Sequence, residues 1–332
     1  MIRRIFLALV AGILSLVVVS ASTLQAYAAT NTASPGSGNG LKISPVRTDL
    51  TLNPGATQTV DIIVQNVTSS TAILNVLIND FTASNDEKGD PAIILNPSTS
   101  APSHGLKQFI APVGNITLQP NEQQDVKVDI NIPLNAAGGG YFGAVRFEPA
   151  TNASGSNISL SASVASLILV KVSGNVIDKM SIASFDARKA DKSHSVFFSN
   201  KSIDAVVRFK NSGNVQEEPF GKIILKKGNN IIASYEINNT DPRGNVLPDS
   251  IRKFTVSLGN KVGSFGKYTV EGNFGYGSNA QLLSGSTTFY VVPLSLVGAV
   301  LGALILILWA IFVLPRWIKA YNRRVLRRAR RR

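Results

Sequence analysis

Residues 118–130 read LQPNEQQDVKVDI, a turn around Pro120 followed by strictly alternating apolar and polar residues. Val126, Val128 and Ile130 occupy every second position, so in an extended strand their side chains share one face. A proline cannot donate a hydrogen bond to a neighbouring strand, which suits a turn better than a strand interior. The stretch therefore predicts a turn that leads into a β-strand with one buried face.

The same pattern occurs twice more, after Pro54 and after Pro248. In these copies the apolar residues that follow the proline at the same offsets are Val60, Ile62, Val64, Phe254, Val256 and Leu258. The copies at Pro120 and Pro248 also share a glycine eighteen residues past the proline, Gly138 and Gly266, shortly before an aromatic strand. The repeat indicates two domains of similar build.

Short alternating runs recur across residues 41–292 between clusters of Pro, Gly, Asn and Asp, and no convincing amphipathic helix interrupts them. This punctuation is typical of all-β proteins. We therefore predict two tandem Ig-like β-sandwich domains, 41–178 and 179–290, divided after the apolar strand Leu167–Val172. Domains of this size bury a core without disulfides, and the chain has no cysteine. In the second domain the predicted elements are a hairpin of Lys222–Leu225 and Ile231–Tyr235 around the turn Lys226–Asn230, and a last strand Thr287–Val292.

The two ends of the chain predict its topology. Residues 291–314 carry no charge, and the 21 residues after Pro293 would span about 31 Å as a helix, enough to cross a bilayer core. The tail, 315–332, holds nine basic and no acidic residues, which marks the cytoplasmic side. Arg3 and Arg4 precede the apolar run Ile5–Val19, which predicts a signal peptide over 1–28 and a flexible linker over 29–40. We expect a single-pass plasma-membrane protein with most of its chain outside the cell.

This topology explains the net charge of +13. Of the 33 basic residues, nine lie in the tail and two in the signal peptide, which leaves 22 against 20 acidic residues in the exported part. A nucleic-acid-binding protein needs a basic face on its folded part, so this class is excluded.

Few residues offer catalytic or metal chemistry. Only His104 and His194 are present, both in loop-like sequence without a recognisable nucleophile motif, so we interpret them as surface loop histidines. The oxygen-rich loop Asn85–Asp90, with Asp80 upstream, lacks the order of a calcium loop and carries Lys88, so a solvated turn is the better interpretation. We predict no enzyme activity, no cofactor and no metal.

The first domain resembles the WxL-interacting proteins of Gram-positive cell surfaces over about residues 41–178, and the order of parts matches over the whole length. The segments that carry the resemblance are Ile43–Val46, Leu52–Gly55 with its strand to Asn66, Leu118–Pro120 before Val126–Pro133, Gly138–Val145 and Leu167–Gly174. The resemblance implies a membrane-anchored, Ig-like protein that binds peptidoglycan and partner surface proteins without catalysis. The second domain looks like a generic bacterial Ig-like module.

The predicted function is therefore non-catalytic binding of wall polymer or a surface protein at the cell envelope. Sandwiches recognise ligands through end loops or edge strands, so the candidate contact loops are 85–90, 97–105 and 150–157. The alternative is an envelope sensor or assembly subunit that acts through its membrane helix, where Gly298 and Gly302 form a G-x-x-x-G motif for homo- or hetero-association.

Two interpretations of the tail are open: it contacts the inner leaflet of the membrane, or it is a plain stop-transfer signal with no further role. The tail residues proposed for that contact are Trp317, Lys319, Tyr321, Arg323, Arg324, Arg327 and Arg328.

Overall fold

The computed structural model describes residues 40–150 and 163–319. Strands dominate these residues and form four sheets, so the prediction of an all-β chain of sandwiches is confirmed. The signal peptide and nearly all of the linker lie outside the described residues. The strands of the first sandwich are β1 Leu41–Ser44, β2 Arg47–Leu52, β3 Thr57–Asn66, β4 Ala72–Ala83, β5 Pro91–Ile93, β6 Ile116–Leu118, β7 Gln123–Asn131, β8 Gly139–Pro149 and β9 Val164–Val172.

The first sandwich packs a three-stranded sheet, β1-β3-β7, against a larger sheet in the order β2-β9-β8-β4-β5, with β6 also paired to β4. The alternation read from the sequence places the core, because Val60 pairs with Val128 and Ile62 with Val126 in antiparallel register, and all four are buried. On the facing sheet Phe147 and Val170 close the core from the other side. A short 3₁₀ turn, Lys107–Phe109, lies between β5 and β6.

The second sandwich repeats this plan with a four-stranded sheet, β11-β10-β13-β16, and a five-stranded sheet, β12-β18-β17-β14-β15. Its core is rich in aromatic rings, such as Phe209, Phe274 and Phe289. Its strands are β10 Met180–Lys189, β11 Lys192–Ser193, β12 Val196–Phe197, β13 Asp204–Asn211, β14 Phe220–Lys227, β15 Asn230–Ile237, β16 Ile251–Ser257, β17 Gly266–Tyr276 and β18 Gln281–Val291, with a 3₁₀ turn at Gly259–Lys261.

Two strand boundaries differ from the sequence prediction. Lys227 pairs directly with Asn230, so the β14–β15 hairpin closes through Gly228 and Asn229 alone and its turn is shorter than predicted. β18 begins at Gln281 because its pairing with β17 continues up to the Tyr276–Gln281 pair, well before Thr287. In both places backbone pairing extends the strands through residues whose apolar and polar side chains do not alternate.

Each sandwich holds one buried asparagine in the same local structure, which we call the asparagine corner. Asn66 Nδ2 donates to Ser70 O at 2.7 Å and Asn211 Nδ2 donates to Val215 O at 2.7 Å, four residues on in both cases. Each amide also donates to the residue two before the turn proline, Leu118 O at 3.3 Å and Val246 O at 2.9 Å. The corner ties the end of a core strand to the proline turn, so the two sandwiches share a structural repeat.

A single helix follows the second sandwich. α1 spans Leu294–Phe312, only two residues after the end of β18, and Val291, which the sequence placed in the apolar segment, is the last residue of that strand. Together with the helical residues beyond it, the segment Leu294–Lys319 is long and apolar enough to cross a membrane, and an 18-residue stretch within it has a mean hydropathy of 2.9.

Candidate functional site

The two sandwiches meet through hydrogen bonds centred on Asn214, in the turn after β13. Its side chain donates to Gly138 O and Asn175 O, both at 2.9 Å, and accepts from Ile177 N at 2.7 Å. Its backbone carbonyl accepts from Gly140 N at 2.7 Å. One residue of the second sandwich thus holds both the first sandwich and the connection, residues 173–179, and the two sandwiches lie within one compact unit.

The glycines that open β8 make this contact possible. Gly139 has a φ of +147°, and a Cβ there would lie 2.8 Å from Asn214 O. A Cβ at Gly138 would lie 2.6 Å from the backbone nitrogen of Asn175. The positive φ and the backbone neighbours explain why these positions take no side chain.

A pair of acidic residues lies at the same junction. Glu217 is buried, and its side chain faces Asp178 in the connection between the sandwiches. Burial raises the pKa of Glu217 to about 8, and the neighbouring charge of Asp178 adds to the shift. Burial alone would raise the pKa of Asp178 too, but hydrogen bonds from Ser278 outweigh it and keep that pKa below its usual value. At neutral pH the pair therefore holds one proton, carried by Glu217.

The loop between β4 and β5 reaches the second sandwich through Glu87. Its carboxylate forms a bidentate ion pair with the guanidinium of Arg208 on β13, and its backbone oxygen accepts from Lys253 N at 2.7 Å. About a quarter of each side chain is exposed, 25% for Glu87 and 26% for Arg208. Partial burial and fork geometry make this pair stronger than an ordinary surface ion pair. It clamps one side of the junction.

The opposite side of the junction is held by Arg47 on β2. Its guanidinium pairs with Asp49 at 2.7 Å and with Glu218 of the second sandwich at 2.9 Å. It also donates to the backbone oxygen of Arg243 at 2.7 Å. The amide of Asn245 bridges the Arg47–Glu218 pair when its nitrogen donates to Glu218 and its oxygen accepts from Arg47. The charge of Arg47 is therefore neutralised within the protein.

Between these two contacts lies an open cavity, which we call the junction cleft. It holds about 520 Å³ of empty space, its open mouth included. Apolar side chains of both sandwiches line it, and Leu247 packs against the buried cluster that includes Phe81 and Leu169. The residues that line the cleft are Arg47, Phe81, Ala83, Ser84, Gly89, Asp90, Pro91, Leu167, Leu169, Asn245, Leu247, Ser250, Ile251 and Arg252.

Arg252 is the distinctive residue of the junction cleft. Its guanidinium lies where a Cβ of Gly89 or of Gly244 would otherwise be, so glycines from both sandwiches make room for it. It donates to Asn245 O at 2.8 Å and lies over the ring of Phe254 at 5.2 Å, while its Nε is buried without a hydrogen-bond partner. Among residues 40–150 and 163–319, no carboxylate forms an ion pair with it.

Burial lowers the pKa of Arg252 below its usual value. The positive charge of Arg47 lowers this pKa further, whereas the negative charge of Asp90 offsets part of the shift. Because arginine stays protonated in proteins, the cleft contains a cation that has no ion-pair partner within the described part of the chain. A guanidinium in partly desolvated surroundings binds a carboxylate through short, charge-assisted hydrogen bonds. The junction cleft can therefore hold a ligand that combines an apolar group with an acidic one.

The structure also places the two histidines and Asp80, which the sequence offered for catalysis or metal binding. His104 lies in the loop before the 3₁₀ turn, partly exposed, with its Nδ1 2.7 Å from Gly140 O; His194 is exposed and packs edge-on against Phe197. Asp80 does not face the 85–90 loop: it is buried and accepts from Ala101 N at 2.9 Å and Lys107 N at 2.8 Å. In the described part of the chain no three His, Cys, Asp or Glu residues are grouped as metal ligands.

The candidate contact loops have different outcomes. The loop 85–90, interpreted as a solvated turn, supplies Glu87 and Gly89 to the junction. The loop 97–105 is held by a hydrogen bond from Ala101 N to Asp80, and the loop 150–157 lies outside the described residues except for Ala150.

The helix and tail residues proposed for association and lipid contact are only partly described. In α1, nothing lies within 4 Å of a Cβ at Gly298 or Gly302. Trp317 and Lys319 are exposed at the end of the described helix, while Tyr321, Arg323, Arg324, Arg327 and Arg328 lie outside the described residues. Their predicted roles stay predictions.

The junction cleft was missed in the sequence because its parts are far apart along the chain. The only local signal is the pair of glycines, Gly89 and Gly244, in two polar loops, and nothing in either loop points to Arg252.

No protein-family profile and no curated protein matches this chain. Solved structures that resemble it include the class 5 fimbriae chaperone CfaA, at 14% identity over 76% of this chain and 99% of that chain with a TM-score of 0.35. The E. coli chaperone DraB matches at 12% identity over 76% and 98%, with a TM-score of 0.33. A PapD-like domain of human CEP192 matches at 15% over 41% and 86%, with a TM-score of 0.28. At this similarity nothing about binding or partners transfers to this chain, and the resemblance to WxL-interacting proteins stays a prediction.

Proposed function

We propose that the protein is a non-catalytic, membrane-anchored binding protein of the cell envelope, and that its paired sandwiches bind a surface protein at the junction cleft. The observation that carries the proposal is Arg252, a half-buried cation without an ion-pair partner among the described residues, at the wall of an open cavity. Proteins bury an arginine without a carboxylate at a cost, which a ligand that supplies the carboxylate offsets.

The lining of the cleft supports a peptide ligand. Phe81, Leu169 and Leu247 offer an apolar surface for a side chain, and the guanidinium of Arg252 lines the same cleft, where it can donate hydrogen bonds to a carboxylate. An acidic segment or a free C-terminus of a partner protein combines both groups. Peptidoglycan, which the resemblance implies as a ligand, also carries carboxylates on its peptide stems, so it is the second candidate.

The helix α1 supports anchoring of this binding unit at the plasma membrane. Its apolar residues are exposed over the whole span, which is costly in water and favourable in lipid. With the basic tail inside the cell, the sandwiches face the cell wall. The alternative is an envelope sensor that acts through Gly298 and Gly302. It needs a partner protein in the membrane that binds to α1.

The test compares retention of the purified protein on wall sacculi and on immobilised surface proteins. Arg252→Met removes the cation and keeps an apolar side chain, and Lys222→Met is the matched control, since Lys222 is an exposed cation on β14. We expect binding that is lost in Arg252→Met and kept in Lys222→Met, with both variants melting as folded proteins. Equal binding by both variants would exclude the cleft as the site, and no binding by the wild type would contradict the proposed function.

A further inference from the structure

The end of the second sandwich nearest to α1 carries an unusual surface. β18 ends at Val291 and α1 begins at Leu294, so only Val292 and Pro293 separate the sheet from the helix. From Val291 to Leu294 the chain makes three steps, so their Cα atoms lie at most about 11 Å apart. If α1 crosses the membrane, as the proposed function requires, this end of the sandwich lies within about 11 Å of the start of the membrane helix.

Backbone pairing places several exposed side chains at this end. Val196 of β12 pairs with Tyr290, and Lys267 of β17 pairs with Tyr290 from the other side, so the three lie in one row across the outer face of the sheet. The neighbours of Tyr290 in β18, Phe289 and Val291, are buried, so the exposed side chains belong to the outer face.

Two phenylalanines extend this row towards the helix. Val292 N donates to Phe197 O at 2.8 Å, so the next residue, Phe198, lies beside the start of the connection to α1. Phe265 precedes Gly266, which pairs with Val291. Both rings are more than half exposed, 55% for Phe198 and 57% for Phe265, although the core of this sandwich buries Phe197, Phe209, Phe274 and Phe289. We call Val196, Phe198, Phe265, Lys267 and Tyr290 the proximal rim.

The charges around the rim favour an anionic partner. Lys267 belongs to it, and Lys227 lies next to it, because the Cε of Lys227 is 2.9 Å from a Cβ built at Gly266. Lys261 is exposed in the 3₁₀ turn just before Phe265. The acidic residues at this end are Asp191, which pairs with Lys253 at 3.7 Å, and Asp204 at the start of β13. Lysines therefore outnumber carboxylates beside the exposed rings.

Aromatic rings beside lysines are the side chains that proteins place at the headgroup level of a membrane. The rings enter the boundary between headgroups and acyl chains, and the ammonium groups contact lipid phosphates. We propose that the proximal rim lies in the outer headgroup layer of the membrane that α1 crosses, so that the second sandwich rests on the lipid and holds the junction cleft at a set height and tilt. The inference rests on the anchoring part of the proposed function and is independent of what binds in the cleft.

The absence of cysteine from the chain allows a direct test on the full-length protein. A fluorophore on Ser264→Cys reports from the exposed residue beside Phe265, and the same fluorophore on Asn279→Cys reports from the β17–β18 turn at the opposite end of the sandwich. The protein is reconstituted in vesicles of phosphatidylglycerol and phosphatidylcholine with a nitroxide on the headgroup. We expect quenching of the Ser264→Cys label and none of the Asn279→Cys label.

The double variant Phe198→Ser and Phe265→Ser, in the Ser264→Cys background, is expected to lose this quenching. With Trp317→Phe in all these proteins, Trp309 in α1 is the single tryptophan and serves as an internal control, because quenching of its emission by acyl-chain nitroxides shows that the helix is inserted. If Trp309 is quenched and the Ser264→Cys label is not, the rim proposal is overturned and the anchor stands. If neither emission is quenched, the result contradicts the anchor itself. Quenching between labelled copies, without lipid quenching, would assign the rim to a second copy of the chain and overturn the lipid contact.

Discussion

Glu217 gives the junction a dependence on pH that acts at the scale of one residue. Its pKa is about 8 in the folded protein against 4.5 for an ordinary glutamate, so the folded state binds more protons than the unfolded state between these values. The stability that protonated Glu217 contributes is therefore fully present below pH 4.5 and is lost as the pH rises through about 8. Above that value the junction holds two unshared carboxylates, Glu217 and Asp178.

We predict that Glu217→Gln removes most of this loss, because the amide mimics the protonated acid at every pH. Thermal melts from pH 5 to 9.5 should show the wild type falling more steeply than the variant between pH 5 and about 8, and in parallel with it above that pH. Glu236→Gln is the control, since Glu236 is an exposed acid with 55% of its side chain accessible. A wild type and a Glu217→Gln variant with parallel profiles would show that Glu217 titrates normally.

Gly139 is a second residue whose role depends on backbone geometry. Alanine there would have to hold a φ of +147° and place its Cβ 2.8 Å from Asn214 O. We predict that Gly139→Ala lowers the free energy of unfolding by about 1–3 kcal/mol, the usual range for a strained backbone position. Gly114→Ala is the matched control, because a Cβ at Gly114 meets nothing within 4 Å. Denaturant titrations that find the two variants equally stable would contradict the tight contact.

At the scale of elements, the clamp between the β4–β5 loop and β13 decides how firmly the sandwiches are joined. A double-mutant cycle of Glu87→Ala and Arg208→Ala should yield a coupling free energy of about 1–3 kcal/mol, as for partly buried, bidentate pairs. The same cycle on Lys222 and Glu236, where the side chains are 62% and 55% exposed, should yield less than about 0.5 kcal/mol. Equal couplings in the two cycles would mean that the Glu87–Arg208 pair contributes no more than a surface pair does.

The elements themselves were largely predictable, because a strand with one buried face has an apolar residue at every second position of its sequence. Val126, Val128 and Ile130 are buried as their alternation predicts, and so are Val60, Ile62 and Val64. The proline repeat also has a structural basis, since Asn66 and Asn211 bond to equivalent turns. The contacts of Arg252 were not predictable, because Gly89 lies in the other sandwich and the residues meet only when both domains are folded and joined.

At the scale of the whole molecule, two proposed binding surfaces lie on one chain with a candidate membrane anchor. The junction cleft lies where the sandwiches meet, and the proximal rim lies at the end of the second sandwich that continues into α1. If the rim rests on lipid, the second sandwich separates the cleft from the membrane. A ligand of the cleft would then be met away from the lipid surface, where wall polymer and surface proteins are found.

The basic tail is predicted to lie on the inner side of the membrane. Nine basic residues lie within the eighteen residues that follow the predicted span, and each would contribute up to about 1 kcal/mol of attraction to an anionic leaflet, less as salt increases. Topology alone needs only a few of these charges. The surplus predicts that the tail lies along the inner leaflet, where Trp317, Tyr321 and Val325 would share one face if the tail is helical.

A synthetic peptide of residues 315–332 tests this prediction, since Trp317 is its only tryptophan. We expect a blue shift of Trp317 emission with vesicles that contain phosphatidylglycerol and no shift with phosphatidylcholine alone, because the attraction is electrostatic. The shift should fade as salt rises, over the range in which the Debye length falls below about 10 Å. Equal binding to both kinds of vesicle, or binding to neither, would leave the tail as a plain stop-transfer signal. In that case only the rim and α1 would contact lipid.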